Sequence, residues 1–134
     1  MGVLIDTCIW IDVEQGSLAP EDIVAVTGSE PVFLSPVTIA ELKFGAECAA
    51  TPAMRQQRLA SLARIRTKPV LRIDETTGEI FGSLAAQLKL SGKTHRPRVQ
   101  DIWLASQAIQ QGFTLLTRNL RDFKDIPGLQ ILTI

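Results

Sequence analysis

The sequence predicts an α/β fold in which a central, mostly parallel, twisted sheet of four or five strands is flanked by helices. Three observations carry that expectation. Short, mostly apolar runs such as Val3-Leu4-Ile5 and Phe113-Thr114-Leu115-Leu116 have the character of buried strands. Between them lie longer stretches with apolar residues at helical spacing. The 134 residues contain no internal repeat, low-complexity tract or linker, so one domain spanning residues 1–134 is expected.

Each element has its own signal. Val3–Ile5 reads as a strand running into Asp6-Thr7, after which Ile9, Trp10 and Val13 make a short amphipathic helix over 8–13. Gly16-Ser17 ends it, and Pro20-Glu21-Asp22 opens a second helix through Val26. Residues 31–35 read as a strand, and Pro36 stands at the first position of a mostly apolar helix through Ala46. A basic amphipathic helix is expected over 52–66 and a third strand over 69–73. Ile80, Phe81, Leu84, Ala85 and Leu88 mark a helix over 76–90, and residues 91–97 read as a polar, basic loop. A helix over 99–110 stops at Gly112, and strands are expected at 113–116 and 129–132.

Composition excludes several classes. With 46% apolar and 21% charged residues, the chain is not disordered, collagenous or stapled by disulfides. No apolar run approaches a membrane span, and residues 1–6 show no basic region before their apolar stretch, so neither a membrane nor a signal peptide is expected. Two cysteines, Cys8 and Cys48, without metal-binding spacing lead to the expectation of a reduced, cytoplasmic protein. The net charge of zero conceals segregation along the chain. Residues 1–42 hold seven acids and no Lys or Arg, residues 43–98 hold eleven bases against four acids, and residues 99–134 hold three of each. Such segregation suits either two differently charged surfaces or an acidic site bordered by cations that hold a polyanion.

In a parallel sheet a ligand site lies beyond the carboxyl ends of the strands. Asp6 follows the first strand, Asp101 opens the helix before the fourth, Asp122 follows that strand, and Glu41 is the odd acid in Val37-Thr38-Ile39-Ala40-Glu41-Leu42. Singly, Asp6 and Asp101 also suit helix caps or first-turn acids, Asp122 a solvated turn, and Glu41 an exposed helix face. Together they suggest a cluster. Two carboxylates ~4 Å apart repel by about 4 kcal/mol at an effective dielectric of ~20, so convergence calls for a cation or a shared proton. An all-oxygen acidic set suits Mg²⁺ or Mn²⁺, which can orient water and offset charge developing on a phosphodiester.

Four segments carry a family resemblance: residues 4–8 around Asp6, residues 35–47 around Glu41, Asp101-Ile102-Trp103-Leu104-Ala105, and Leu116-Thr117-Arg118-Asn119-Leu120-Arg121-Asp122-Phe123. Ile126-Pro127-Gly128-Leu129 completes the pattern. In order and spacing these resemble the PIN-domain ribonucleases, and within them the VapC-type toxins of bacterial type II toxin–antitoxin pairs. The resemblance covers essentially the whole chain. It implies an endoribonuclease dependent on Mg²⁺ or Mn²⁺, with Asp6, Glu41, Asp101 and Asp122 as metal-holding and catalytic acids around a metal-activated water. It further implies an RNA substrate, a homodimer, and a cognate antitoxin that covers the acids. Two departures stand out: Cys8 where many relatives carry Asn, with loss of that side chain's polar help, and Arg98-Val99-Gln100 before Asp101.

Thr7, Thr117 and Asn119 are expected either to orient the carboxylates by hydrogen bonds or simply to cap helices and turns. Arg55, Arg58, Arg64, Arg96 and Arg98 are candidate RNA contacts. His95, the lone histidine, has no orienting acid nearby and is read as solvated or RNA-contacting rather than catalytic. Cys8 is read as a small buried residue, and Trp10 and Trp103 as core rather than base-stacking residues. Trp10, Phe44, Met54 and Leu59 are candidates to line a groove for an antitoxin helix. Two rival readings remain: a receiver-like Mg²⁺-binding phospho-acceptor domain, and a PIN-like binding module without catalysis.

Overall fold

The computed structural model describes residues 1–134. Four parallel strands, β1 (Val3–Ile5), β2 (Val32–Phe33), β3 (Thr114–Thr117) and β4 (Gln130–Thr133), lie in the order β2-β1-β3-β4. Six helices pack around them: α1 (Thr7–Gln15), α2 (Pro20–Thr27), α3 (Pro36–Glu47), α4 (Pro52–Ile65), α5 (Glu75–Leu90) and α6 (Val99–Gln111). Alternation along the strands sends side chains to opposite faces. Leu4 and Leu115 pack with Leu84, Leu88, Ile102 and Ala105 of α5 and α6 on one side. Val3, Ile5 and Leu116 pack with Ile9, Trp10 and Ile23 of α1 and α2 on the other. Both faces are covered at the central strand, which is why β1 reads as an unbroken apolar run.

Local chemistry sets the element boundaries. Ser35 caps α3 by accepting the Val37 N–H at 3.0 Å, with Pro36 at the first helical position. Thr51 caps α4 through Met54, and Asp74 caps α5 through Thr77. Gly16 and Gly112 end α1 and α6 with positive φ of 83° and 69°.

The strand expected over 69–73 does not form. Leu34 and Val70 make a single parallel bridge, with the Leu34 N–H donating to Pro69 O at 2.9 Å and the Leu71 N–H to Leu34 O at 2.8 Å. The ladder stops because Ser35 already turns into α3, which leaves nothing for residue 72 to pair with. Leu71 O instead accepts the Gln107 Nε2–H at 3.0 Å. The basic loop over 91–97 ends in a 3₁₀ turn, Arg96–Arg98, that leads directly into α6. Trp10 is 6% exposed in the core, and Trp103, partly buried, stacks on Phe81 with ring centroids 4.3 Å apart. No helix is long and apolar enough to cross a membrane.

The packing gives a graded stability prediction. Leu115→Ala, at a fully buried strand position, should cost about 2–5 kcal/mol in urea unfolding. Ile73→Ala, in the segment that stays out of the sheet and 38% exposed, should cost under about 1 kcal/mol.

Candidate active site

β1 has β2 on one side and β3 on the other, so successive connections diverge from the gap between β1 and β3. That divergence opens a crevice at the carboxyl ends of these two strands. The parallel register pairs Ile5 with Leu116, and the Asp6 N–H continues it by donating to Leu116 O at 2.9 Å. Asp6 therefore leaves β1 beside Thr117, the last residue of β3.

Asp6 occupies the N-cap position of α1, yet its side chain makes no capping bond. Its Oδ2 accepts the Thr117 hydroxyl at 2.7 Å and the Cys8 thiol at 3.2 Å. Both neighbours use the same oxygen, which leaves Oδ1 without a protein donor. Asp6 is 6% exposed and Thr117 fully buried. The capping explanation fails for this acid. Thr117 in turn is held by the Asn119 N–H at 2.9 Å. Asn119 acts here through its backbone; its exposed side chain makes no hydrogen bond to a carboxylate.

The loss of polar help expected at Cys8 is corrected by the same geometry. Its Sγ lies 3.2 Å from Asp6 Oδ2 and 3.8 Å from Thr117 Oγ1. Burial first, and then the Asp6 charge, push the thiol up to about 11, so it remains a proton donor at neutral pH. Cys8 is half-buried rather than enclosed in the core.

Glu41 arrives on α3. Its Oε1 accepts the Thr7 hydroxyl at 3.0 Å, and Thr7 Oγ1 also lies 2.9 Å from Thr38 Oγ1. Thr7 and Thr38 are both buried, so a chain of hydroxyls links the start of α1 to the acid on α3. Burial and the nearby Asp6 charge raise the Glu41 carboxyl, against the lowering effect of Thr7.

Asp101 lies in the first turn of α6 and is half-buried. Its carboxyl is raised to about 6, by burial first and then by the charges of Asp6, Asp122 and Glu41. All three other acids thus act on Asp101, and the four form one electrostatic unit. Asp122 stands at its open edge, exposed, in the 3₁₀ turn Leu120–Asp122.

No three His, Cys, Asp or Glu side chains close into a metal cage. An open, all-oxygen set nevertheless fits a hard divalent cation. Such an ion keeps several waters and needs only one or two protein carboxylates. The crowding that raises Asp101 and Glu41 would be relieved by a cation, and Asp6 Oδ1 has no protein donor.

The expected RNA contacts separate into bound and free groups. Arg98 is already engaged: its Nη1–H donates to Asp125 Oδ2 at 2.9 Å and its Nη2–H to Asp125 Oδ1 at 2.7 Å. It is therefore withdrawn from the phosphate-contact set. Arg58 donates to Gly45 O at 2.8 Å and lies 3.8 Å from Glu14. Arg55 pairs with Glu47 at 2.8 Å on the surface, an arrangement of little energetic value that RNA phosphate can replace. Arg64 donates only to Ser61 of its own helix, and Arg96 is exposed with no partner. His95 makes no side-chain hydrogen bond, and Arg118, which pairs with Asp12 at 3.0 Å beside the crevice, was not singled out from sequence. Along α1, α3 and α4 runs a cleft of about 380 Å³ whose walls include Trp10, Glu41, Leu42, Arg58 and Leu62. Of the four residues expected to line a groove, only Trp10 does; Phe44 is 71% exposed on the outer face of α3.

A sequence model of the PIN domain matches residues 3–129. The chain belongs to the PIN-domain family. Among PIN-domain relatives, Ribonuclease VapC5 of Mycobacterium tuberculosis is 32% identical over 127 residues, covering 95% of this chain and 88% of that protein. The crystal structure of VapBC-5 from Mycobacterium tuberculosis, a member of the VapBC family of toxin–antitoxin systems, contains a chain that aligns with a TM-score of 0.75 and 27% identity. That alignment covers 99% of this chain and 98% of its counterpart. A chain of VapBC2 from Rickettsia felis, solved bound to a promoter DNA fragment, aligns with a TM-score of 0.86 over 100% and 99% of the two chains. At 20% identity that likeness is one of fold. The PIN fold disposes of the receiver-like reading. A receiver-like site needs an Asp closing a central strand and a Lys after a later one; in such places stand Ser35, which caps α3, and Thr117, which is bonded to Asp6.

The raised Asp101 carboxyl has a stability consequence. As pH rises, the unfolded chain releases this proton near pH 4 and the folded chain only near 6, so Asp101 contributes full stability below about pH 4 and loses it through about pH 6. In EDTA at pH 7.5, Asp101→Asn should therefore be more stable than wild type by on the order of 1 kcal/mol after allowance for solvent screening. The difference should vanish below pH 4, as read by urea denaturation.

Proposed function

We propose that this chain is a divalent-metal-dependent endoribonuclease and the toxin of a type II toxin–antitoxin pair. The observation that carries the reading is the crowding of Asp6, Glu41 and Asp122 around a half-buried Asp101. The ribonuclease names of the relatives and the toxin–antitoxin title of the aligned structure support it. Residues 1–134 are read as one PIN domain acting in the cytoplasm as a homodimer.

Mg²⁺ or Mn²⁺ held by Asp6, Glu41, Asp101 and Asp122 would supply Lewis acidity toward a phosphodiester and lower the pKa of water. The chain's own residues prepare the place. Thr117 and Cys8 fix Asp6 by one oxygen and leave the other without a protein donor. Thr7 fixes Glu41 in the same manner. Asp101 must lose its proton for the cluster to take up a cation, so binding and deprotonation are coupled. Arg64 in the wall of the cleft, Arg118 beside the crevice, and Arg55 and Arg96 on the surface are the groups that could give up a weak partner, or solvent alone, for RNA phosphate. A cognate antitoxin helix in the cleft beside Glu41 would cover the acids and block the substrate.

Purified protein should cleave a fluorogenic RNA oligonucleotide pool with Mg²⁺ or Mn²⁺ and lose that activity in EDTA. Asp6→Asn and Asp101→Asn should each lower kcat by at least about 10²-fold, and Thr117→Val by about 10–100-fold. At limiting Mg²⁺ the rate should fall as pH drops through about 6, where protons compete for Asp101. Metal-independent cleavage, or full activity in the Asn variants, would remove the mechanism. Cation and RNA binding without cleavage would favour the non-catalytic module.

A further inference from the structure

Arg98 is the last residue before α6, three positions ahead of Asp101. Its guanidinium grips Asp125 with both terminal nitrogens, and the same Nη2 donates to the Asp122 carbonyl oxygen at 2.6 Å. Lys93 Nζ adds a contact to Asp125 Oδ2 at 2.9 Å. The Arg98 and Asp125 side chains are only 19% and 20% exposed, which makes this the best-shielded ion pair in the molecule. A planar fork meeting a carboxylate on two bonds fixes direction as well as distance.

The two segments so joined are those that carry Asp101 and Asp122. On its other side, the Asp122 segment is tied back to Asp6. The Asp122 N–H donates to Asn119 O at 3.0 Å, the Asn119 N–H to Thr117 Oγ1 at 2.9 Å, and Thr117 Oγ1–H to Asp6 Oδ2. Below, Phe123 and Ile126 anchor the segment in the core at 0% and 4% exposure. That apolar anchoring packs it against α6, and Arg98 adds the directed polar tie to the start of that helix. The turn Leu120–Asp122 has no side-chain cap of its own.

We propose that Arg98 and Asp125 form a positioning clamp that sets Asp122 relative to Asp101, so that the acidic site binds its divalent cation with the correct spacing. The clamp rests on the metal-site reading of the four acids. It reassigns a cation that sequence placed among RNA contacts and gives Asp125 a role that its position on a surface loop did not suggest. Charge and geometry act in opposite directions here, which makes the clamp separable. As a charge, Arg98 opposes a nearby cation, so neutralising it would tighten metal binding. As a clamp, its loss loosens the site and weakens binding.

The test is Mn²⁺ binding to RNA-free protein by calorimetry, for wild type, Arg98→Lys, Asp125→Asn and the double variant, with thermal melts as the check of folding. Arg98→Lys keeps the charge and removes the fork. It should raise the Mn²⁺ Kd by about 10-fold, as should Asp125→Asn, and the double variant should be little worse than either, because both break one contact. In cleavage assays with the RNA oligonucleotide pool, half-saturation in Mg²⁺ should shift while KM for RNA stays constant. An unchanged Mn²⁺ Kd in a folded Arg98→Lys protein, or a raised RNA KM with unchanged metal dependence, would overturn the clamp. So would additive losses in the double variant. Wild-type protein that binds Mn²⁺ with this variant pattern but cuts no RNA would sink the nuclease reading and leave the clamp standing. Wild type that binds no Mn²⁺ would overturn both.

Discussion

Four carboxylates of like charge stand at one end of the sheet, and the folded chain holds them there against their mutual repulsion. Asp101 registers the cost: burial and three neighbouring charges raise its carboxyl to about 6. Interactions elsewhere in the protein oppose that repulsion without neutralising it. The two faces of the sheet are sealed by separate apolar clusters, and this burial makes the backbone at the strand ends rigid enough to carry the load. Carboxyls perturbed in this way by burial and like charge are common at functional pockets.

Buried hydroxyls provide the orientation. Thr7, Thr38 and Thr117 are almost fully enclosed, and each directs its hydrogen bond toward an acid or toward another hydroxyl that does so. Hydrogen bonds of this kind are stronger when the acceptor is ionised, and they cost no charge of their own. A lysine in the same place would pair with the acids and occupy the position a metal ion needs. Hydroxyls and a protonated thiol hold the carboxylates while leaving the cluster negative. The cations are kept one step away, on Asp125, Asp12 and Glu47.

Much of the fold was legible because buried parallel strands and amphipathic helices leave different periodicities. β1, β3 and β4 and all six helices fall where apolar patterning and the Pro36, Gly16 and Gly112 signals placed them, to within a residue or two. The strand at 69–73 was misread because apolarity reports burial, not pairing. Leu71 is indeed buried, but Gln107 takes its carbonyl. The acids were legible from different local signals: Asp6 at a strand end, Asp101 at a helix start, Glu41 as the odd acid in an apolar helix, and Asp122 in the turn that follows a strand. Their partners were not. Arg98 and Asp125 are 27 residues apart with no local signal, and Cys8 looked inert until the fold brought its thiol to Asp6. Local patterns predict elements, whereas hydrogen bonds between elements depend on how these close in space.

The arrangement also accounts for the neutral total charge. The acidic N-terminal third contributes Asp6 and Glu41 to the site, and the basic middle third covers α4 and the approach to α6. On the proposed metal-site reading, a divalent cation would relieve the electrostatic strain on Asp101. The direct measurement is the carbon-13 NMR titration of the Asp101 carboxyl with and without Mg²⁺. The midpoint should lie near 6 in EDTA and fall well below the ordinary Asp value of about 4 when Mg²⁺ is present. A midpoint near 6 that saturating Mg²⁺ leaves in place would contradict that reading.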